Sequence, residues 1–185
     1  MAAMKRYLAL LRGVNVGGKG MIRMAELRDA LAAAGLSDVR TYIQSGNVIF
    51  SSGVTDTGRL TALIKKAIRQ SFNLDVDAAV FPQAEWGKII SAAPDWWGVE
   101  KTWKHNLLVM IEPYRMQDVL EAIGNLKPDI ESVQPGKGVL YQSLSLAKFG
   151  RTSSSKLVGT PVYKRMTIRN FNTAMKLKSL LEEPR

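Results

Sequence analysis

The spacing of apolar residues changes along the chain, and each change marks an element. Lys5–Arg12 carries Tyr7, Leu8, Leu10 and Leu11 in a short apolar run closed by Gly13, which reads as a strand. Met24–Ala34 switches to helical spacing through Met24, Leu27 and Leu31, and Gly35 stands where a helix C′ residue is expected. Val39–Ile43 and Val48–Ser51 are β-branched runs joined by Gln44-Ser-Gly-Asn47, the chemistry of a hairpin. Thr57–Phe72 places Leu60, Leu63, Ile64 and Ile68 on one helical face behind Asp56, a capping residue. Val76–Phe81 completes a strand order βαββαβ, the split-βαβ arrangement of ferredoxin-like folds.

The second half follows a similar order without repeating residues. Gln83–Ala93 reads as a helix, Asp95–Trp103 as a tryptophan-rich connection, Asn106–Ile111 as a strand and Arg115–Gly124 as a helix. Ile130–Gln134 and Val139–Ser145 read as a hairpin across Pro135-Gly-Lys-Gly138. Helices are expected at Ser154–Val158 and Asn170–Glu182. The fold class is therefore α/β in the α+β sense: a ferredoxin-like half, 1–82, and a related half, 83–185, ending in a basic helical segment. In the first strand, Leu8 and Leu10 share one face, and Tyr7, Ala9 and Leu11 the other. Both faces are apolar, so both are expected to be covered, the second by the other half of the chain.

Composition narrows the chemistry. The 185 residues are 46 % hydrophobic and 23 % charged, ordinary for a globular protein with a proper core. With no cysteine and a single histidine, His105, the chain cannot build disulfides, iron–sulfur clusters or thiolate zinc sites, and neither a metal centre nor a cofactor is expected. His105 stands outside any motif and is expected to be structural. The apolar runs are too short to cross a bilayer and Met1–Arg6 lacks a secretory h-region, so a cytoplasmic location without membrane contact is expected. Oligomeric state leaves no trace in the sequence.

Charge changes the picture more. The formal balance is +10, from 26 Lys and Arg against 16 Asp and Glu. No acid occurs between Ser132 and Leu181, where the chain average would place about four. The first 25 residues are also acid-free. Such segments suit an anionic partner, either nucleic acid or a phosphorylated small molecule.

Four stretches carry candidate chemistry. Gly13-Val-Asn-Val-Gly-Gly-Lys-Gly20 follows a P-loop spacing up to Gly20, where the magnesium-binding hydroxyl would stand, so a nucleotide P-loop is excluded. What survives is a glycine-rich loop whose N–H groups can face an anion, with Arg12, Asn15 and Lys19 beside it. Gln44–Phe50 invites comparison with the third strand of RNA-recognition modules, but it has one aromatic where two are usual, and a hairpin turn accounts for it better. Ser45 and Asn47 remain within reach of a neighbouring ligand. Phe149-Gly-Arg-Thr-Ser-Ser-Ser-Lys156 looks like a capped helix start, with Arg151 and Lys156 in excess of what capping needs. Tyr163–Thr173 brings Lys164, Arg165 and Arg169 up to a helix N-terminus, where the macrodipole disfavours cations and a bound anion would relieve the conflict. Asn170 and Asn172 add polar side chains. The structural alternative is that these cations pair with acids such as Glu26 or Asp29.

Leu10–Gly18, Thr41–Phe50 and Met166–Thr173, taken in order, resemble a bacterial family catalogued as domain of unknown function 1697, and the likeness runs from about Lys5 to Leu181. The resemblance implies an α/β architecture of ferredoxin-like character with two related halves, and brings no activity or catalytic residue. The leading expectation is an anion-binding module whose glycine loop and C-terminal basic segment form one cleft. Arg12, Asn15, Lys19, Ser45 and Asn47 would stand on one side, and Lys156, Arg165, Arg169, Asn170 and Asn172 on the other. An enzyme acting on a nucleotide-like or phosphorylated substrate is the alternative, although no carboxylate lies inside the family motifs to serve as a base. A protein-interaction module, using Trp96, Trp97 and Trp103, is third.

Overall fold

The computed structural model describes residues 3–16 and 21–184. The chain forms two compact units, Met1–Gly87 together with Leu177–Arg185, and Lys88–Lys176.

In the first unit the strands are β1 (Lys5–Leu11), β2 (Ser37–Tyr42), β3 (Asn47–Ser52) and β4 (Ala78–Pro82), with helices α1 (Met24–Ala33) and α2 (Thr57–Phe72) in the crossovers. The sheet order is β2-β3-β1-β4, antiparallel throughout, so β1 lies between β3 and β4 as the split βαβ requires. α2 starts where Asp56 accepts a hydrogen bond from the Arg59 amide at 3.0 Å, and stops at Asn73 in the left-handed region. α1 ends in paired bonds from Gly35 N to Ala32 O and from Leu36 N to Leu31 O, with Gly35 at φ +96°. Its helical face meets the sheet: Tyr7, Ala9 and Leu11 pack with Leu27, Leu31, Leu60, Ile64 and Ile68. Leu8 and Leu10, on the opposite face, are also fully buried, so the sheet is covered on both sides.

The second unit holds β5 (Trp103–Met110), β6 (Glu131–Gly136), β7 (Val139–Ser145) and β8 (Met166–Asn170), with α4 (Met116–Ile123) after β5. Its sheet order, β6-β7-β5-β8, is the first sheet's order over again. The unit boundaries fall inside α3 (Gln83–Ser91) and α5 (Phe171–Glu182), so the end of α5 belongs with the first unit.

Two expectations need correction here. Met166–Arg169, expected only as the approach to the last helix, is itself a strand that runs directly into α5; Arg169 pairs with Leu107 across β5 and β8. Ser154–Val158 is not an α-helix. The connection from β7 to β8 is three 3-10 turns, Phe149–Arg151, Ser154–Leu157 and Val162–Arg165. Gly150, four consecutive hydroxyl residues, Gly159 and Pro161 deprive that stretch of helix-forming residues. Val119, Ile123, Leu157 and Met166 then fill the core above Leu108, Met110 and Leu140. On the other face Trp97 meets Phe171 edge-on at 4.9 Å and Tyr141 at 5.5 Å, and its indole N–H donates to the Asn106 carbonyl.

Candidate functional site

The glycine loop leaves β1 through Gly13 at φ +72°, and Val14 is buried beneath it. Asn15, itself in the left-handed region, works as a staple. Its carboxamide nitrogen donates to the carbonyls of Ile22 (2.9 Å) and Gln44 (3.0 Å), and its oxygen accepts from the Ile22 amide at 2.7 Å. Asn15 therefore holds the two ends of the loop and ties them to the β2–β3 turn. Lys19 lies outside the described residues. Arg12 is half-buried, with its amide donating to the Asp77 carbonyl.

The turn that receives the staple is itself tightly specified. Gly46 has φ +70°, its carbonyl accepts from the Leu11 amide at 2.8 Å, and a Cβ there would stand 2.7 Å from the Leu11 Cβ. Asn47 is fully buried and donates to the Tyr42 carbonyl and to Ser45 Oγ, both at 3.0 Å. Asn47 holds the hairpin closed, and Ser45 is part of that closure.

In the second unit the Thr-Ser-Ser-Ser stretch already holds an anion, the chain's own. Glu131, 1 % exposed, accepts hydrogen bonds from the amides of Ser153 (2.8 Å), Ser154 (3.0 Å) and Lys127 (3.1 Å) and from Ser154 Oγ (2.7 Å). Burial pushes this carboxyl's pKa up, but the hydrogen bonds from Ser154, Ser153 and Lys127 together outweigh it and hold it below the usual carboxylate range. The hydroxyl run was expected to cap a helix; it forms the walls of a carboxylate nest instead.

Arg169 is 6 % exposed, and its guanidinium donates to Thr167 Oγ1 (2.7 Å) and the Ile168 carbonyl (2.9 Å). Burial alone pushes its pKa down to about 10. Asn170 is the cap of α5, its side-chain oxygen accepting from the Thr173 amide at 2.8 Å. Asn172 is exposed in the first turn of α5. Lys164 and Arg165 precede β8 and are separated from the α5 terminus by that strand, so the macrodipole conflict expected for them does not arise.

The acids offered as structural partners are engaged elsewhere or unused: Glu26 pairs with Arg23 at 3.4 Å. Lys148, Arg151, Lys156, Lys164, Arg165 and Lys176 are all exposed, and none of the ion pairs among the described residues includes them. Arg165 lines a recess of about 220 Å³ with Tyr114 and Arg115, the latter held by both oxygens of Asp118 at 2.7 and 3.0 Å. No signal in sequence spacing distinguished these exposed cations from the buried Arg169.

His105 bridges β7 and the connection before β5. Nδ1 lies 2.6 Å from Ser143 Oγ and Nε2 lies 2.7 Å from the Glu100 carbonyl. A carbonyl only accepts, so in the neutral ring Nε2 carries the hydrogen and Ser143 donates to Nδ1. Trp96 and Trp103 line the same recess, of about 250 Å³. Among the described residues no group of three or more His, Cys, Asp and Glu side chains could hold a metal ion. No helix among them is long and apolar enough to cross a membrane.

The family model of proteins of unknown function (DUF1697) matches residues 4–141, three-quarters of the chain. The chain belongs to this family. Its match takes in the glycine loop, the β2–β3 turn, His105 and Glu131, and stops before the exposed cations of the C-terminal stretch. A solved structure of a conserved bacterial protein from Streptococcus pneumoniae extends the likeness. At 28 % identity it covers 97 % of this chain and 100 % of its own, with a TM-score of 0.86. No curated protein matches the sequence.

Proposed function

We propose that the protein is an anion-binding module for nucleic acid or a phosphorylated small molecule, working through its glycine-rich loop and its C-terminal basic stretch. The observation that carries this reading is the set of exposed cations from Lys148 to Lys176 without an acid partner. Folding gains little from such groups: even a formed surface ion pair contributes only about 0.2–1 kcal/mol, and unpaired like charges repel. A surface of this kind is better matched to a ligand that supplies the missing negative charge. In this reading Lys156 and Arg165 are the first candidate contacts, and Arg12, Lys19, Arg169 and Asn172 are further candidates. Asn15, Ser45, Asn47 and Asn170 enter as residues that hold backbone in place.

A thermal-shift screen at low salt tests it, using sulfate, phosphate, nucleotides, sugar phosphates and short RNA and DNA oligomers. A ligand that binds only the folded chain stabilises it by about 2.7 kcal/mol at a hundredfold excess over its Kd. At least one phosphate-bearing ligand is expected to raise Tm, and to raise it less in Lys164→Ala/Arg165→Ala. If none of these anions shifts Tm, the reading is wrong.

A further inference from the structure

The second sheet carries a recess that the anion reading does not use. In the first unit, α2 covers the sheet between β3 and β4; in the second, the equivalent connection is the three 3-10 turns, which are shorter and leave space beneath them. That space is a recess of about 150 Å³, walled by Leu108, Leu144, Leu157 and Ile168. Lys104 and Phe149, both exposed, complete it, with the ammonium 5.8 Å from the ring centroid.

Two amides face this apolar space. Asn106 on β5 and Gln142 on β7 are register partners, 5 % and 4 % exposed, and Asn106 Nδ2 donates to Gln142 Oε1 at 2.9 Å. That bond leaves Asn106 Oδ1 as an acceptor and Gln142 Nε2 as a donor, and among the described residues neither has a protein partner. Neither atom is sealed from solvent, so both open onto the recess and are available to a partner there, whereas an apolar pair at these facing positions would pack with the surrounding leucines. A concave apolar wall with a few convergent polar groups is the usual form of a small-ligand site.

We infer that the recess beneath the 3-10 turns binds a single flat nitrogen heterocycle. The ring presents a donor beside an acceptor to Asn106 Oδ1 and Gln142 Nε2. A cavity of about 150 Å³ is the size that takes up a benzene ring. Paired amide contacts to a ring edge discriminate strongly, because the analogue lacking the edge leaves both side chains unpaired.

The test uses cytosine, uracil and 2-aminopyridine, with toluene as the hydrocarbon of similar size. Their addition to the full-length protein is followed through the side-chain amide resonances of Asn106 and Gln142. These probes carry no phosphate, so the outcome is independent of the anion reading. The expected result is saturable movement of both amide pairs with at least one heterocycle, with tenfold or weaker binding of toluene. In Gln142→Met the heterocycle should lose at least tenfold in affinity while toluene gains. Should that variant fail to fold, the wild-type comparison alone decides. Amide resonances unmoved by every heterocycle, or toluene bound as well as they are, would overturn the inference and leave the recess to water.

Discussion

Glu131 stands directly before the long acid-free stretch and is bound by residues inside it. Four hydrogen bonds converge on a carboxylate removed from water, so its loss leaves Ser153 N–H and Ser154 N–H buried without partners. Glu131→Ala is expected to lower stability by about 3 kcal/mol, read as a fall in urea midpoint at unchanged m-value. The pH dependence follows from the same geometry. The folded carboxyl titrates below its unfolded counterpart, so the unfolded chain binds more protons in acid. The stabilisation is complete above the unfolded value, about 4.3, and drains away as pH falls through it towards the folded value. In Glu131→Gln this acid-limb loss should be smaller than in wild type. A parallel acid limb would show that the nest does not favour the ionised form. Nothing local in the sequence points to this contact, because Glu131 and Ser154 are 23 positions apart and meet only when β6 is in place.

Elements were legible to the degree that their pattern was pure. α2 combines a capping aspartate, a four-residue apolar rhythm and an asparagine stop, and its bounds, Thr57–Phe72, are those the spacing predicts. β8 escaped because Thr167 and Arg169 occupy positions that an apolar strand would fill, so polar character masked a buried strand. The 3-10 connection escaped for another reason: its Ser, Gly and Pro content marks a helix start and a turn equally well. The β2–β3 turn was legible as a turn, but its role was not, since its tie to the glycine loop runs through the Gln44 carbonyl and Asn15. Gly46→Ala combines a positive φ with a 2.7 Å clash against Leu11 Cβ. It is expected to cost about 2–4 kcal/mol by chemical denaturation, the sum of the left-handed backbone penalty and overpacking. A loss under about 0.5 kcal/mol would mean that the turn yields without strain.

At the scale of the whole molecule, one strand order is used twice, and net charge is distributed without regard to that repetition. Hydrophobic pattern sufficed for the repeated architecture because each sheet is buried on both faces: Leu8 and Ala9 in the first, Leu107 and Leu108 in the second. The candidate site was less legible. Motif reading singled out Asn15, Asn47 and Asn170, which turn out to hold backbone, while the cations left without acid partners emerge only when every ion pair is in view. The most direct test of the anion-binding account is the affinity of a fluorescently labelled single-stranded oligonucleotide, measured by anisotropy between 50 and 300 mM salt. The account predicts binding that weakens with salt at a log–log slope of about −0.7 per phosphate contacted. It also predicts that Lys164→Glu/Arg165→Glu weakens binding and flattens that slope. A phosphorylated small ligand in place of nucleic acid would show as a shallow slope with displacement by that ligand. Binding absent at the lowest salt, with no free phosphate compound competing or bound, would contradict it.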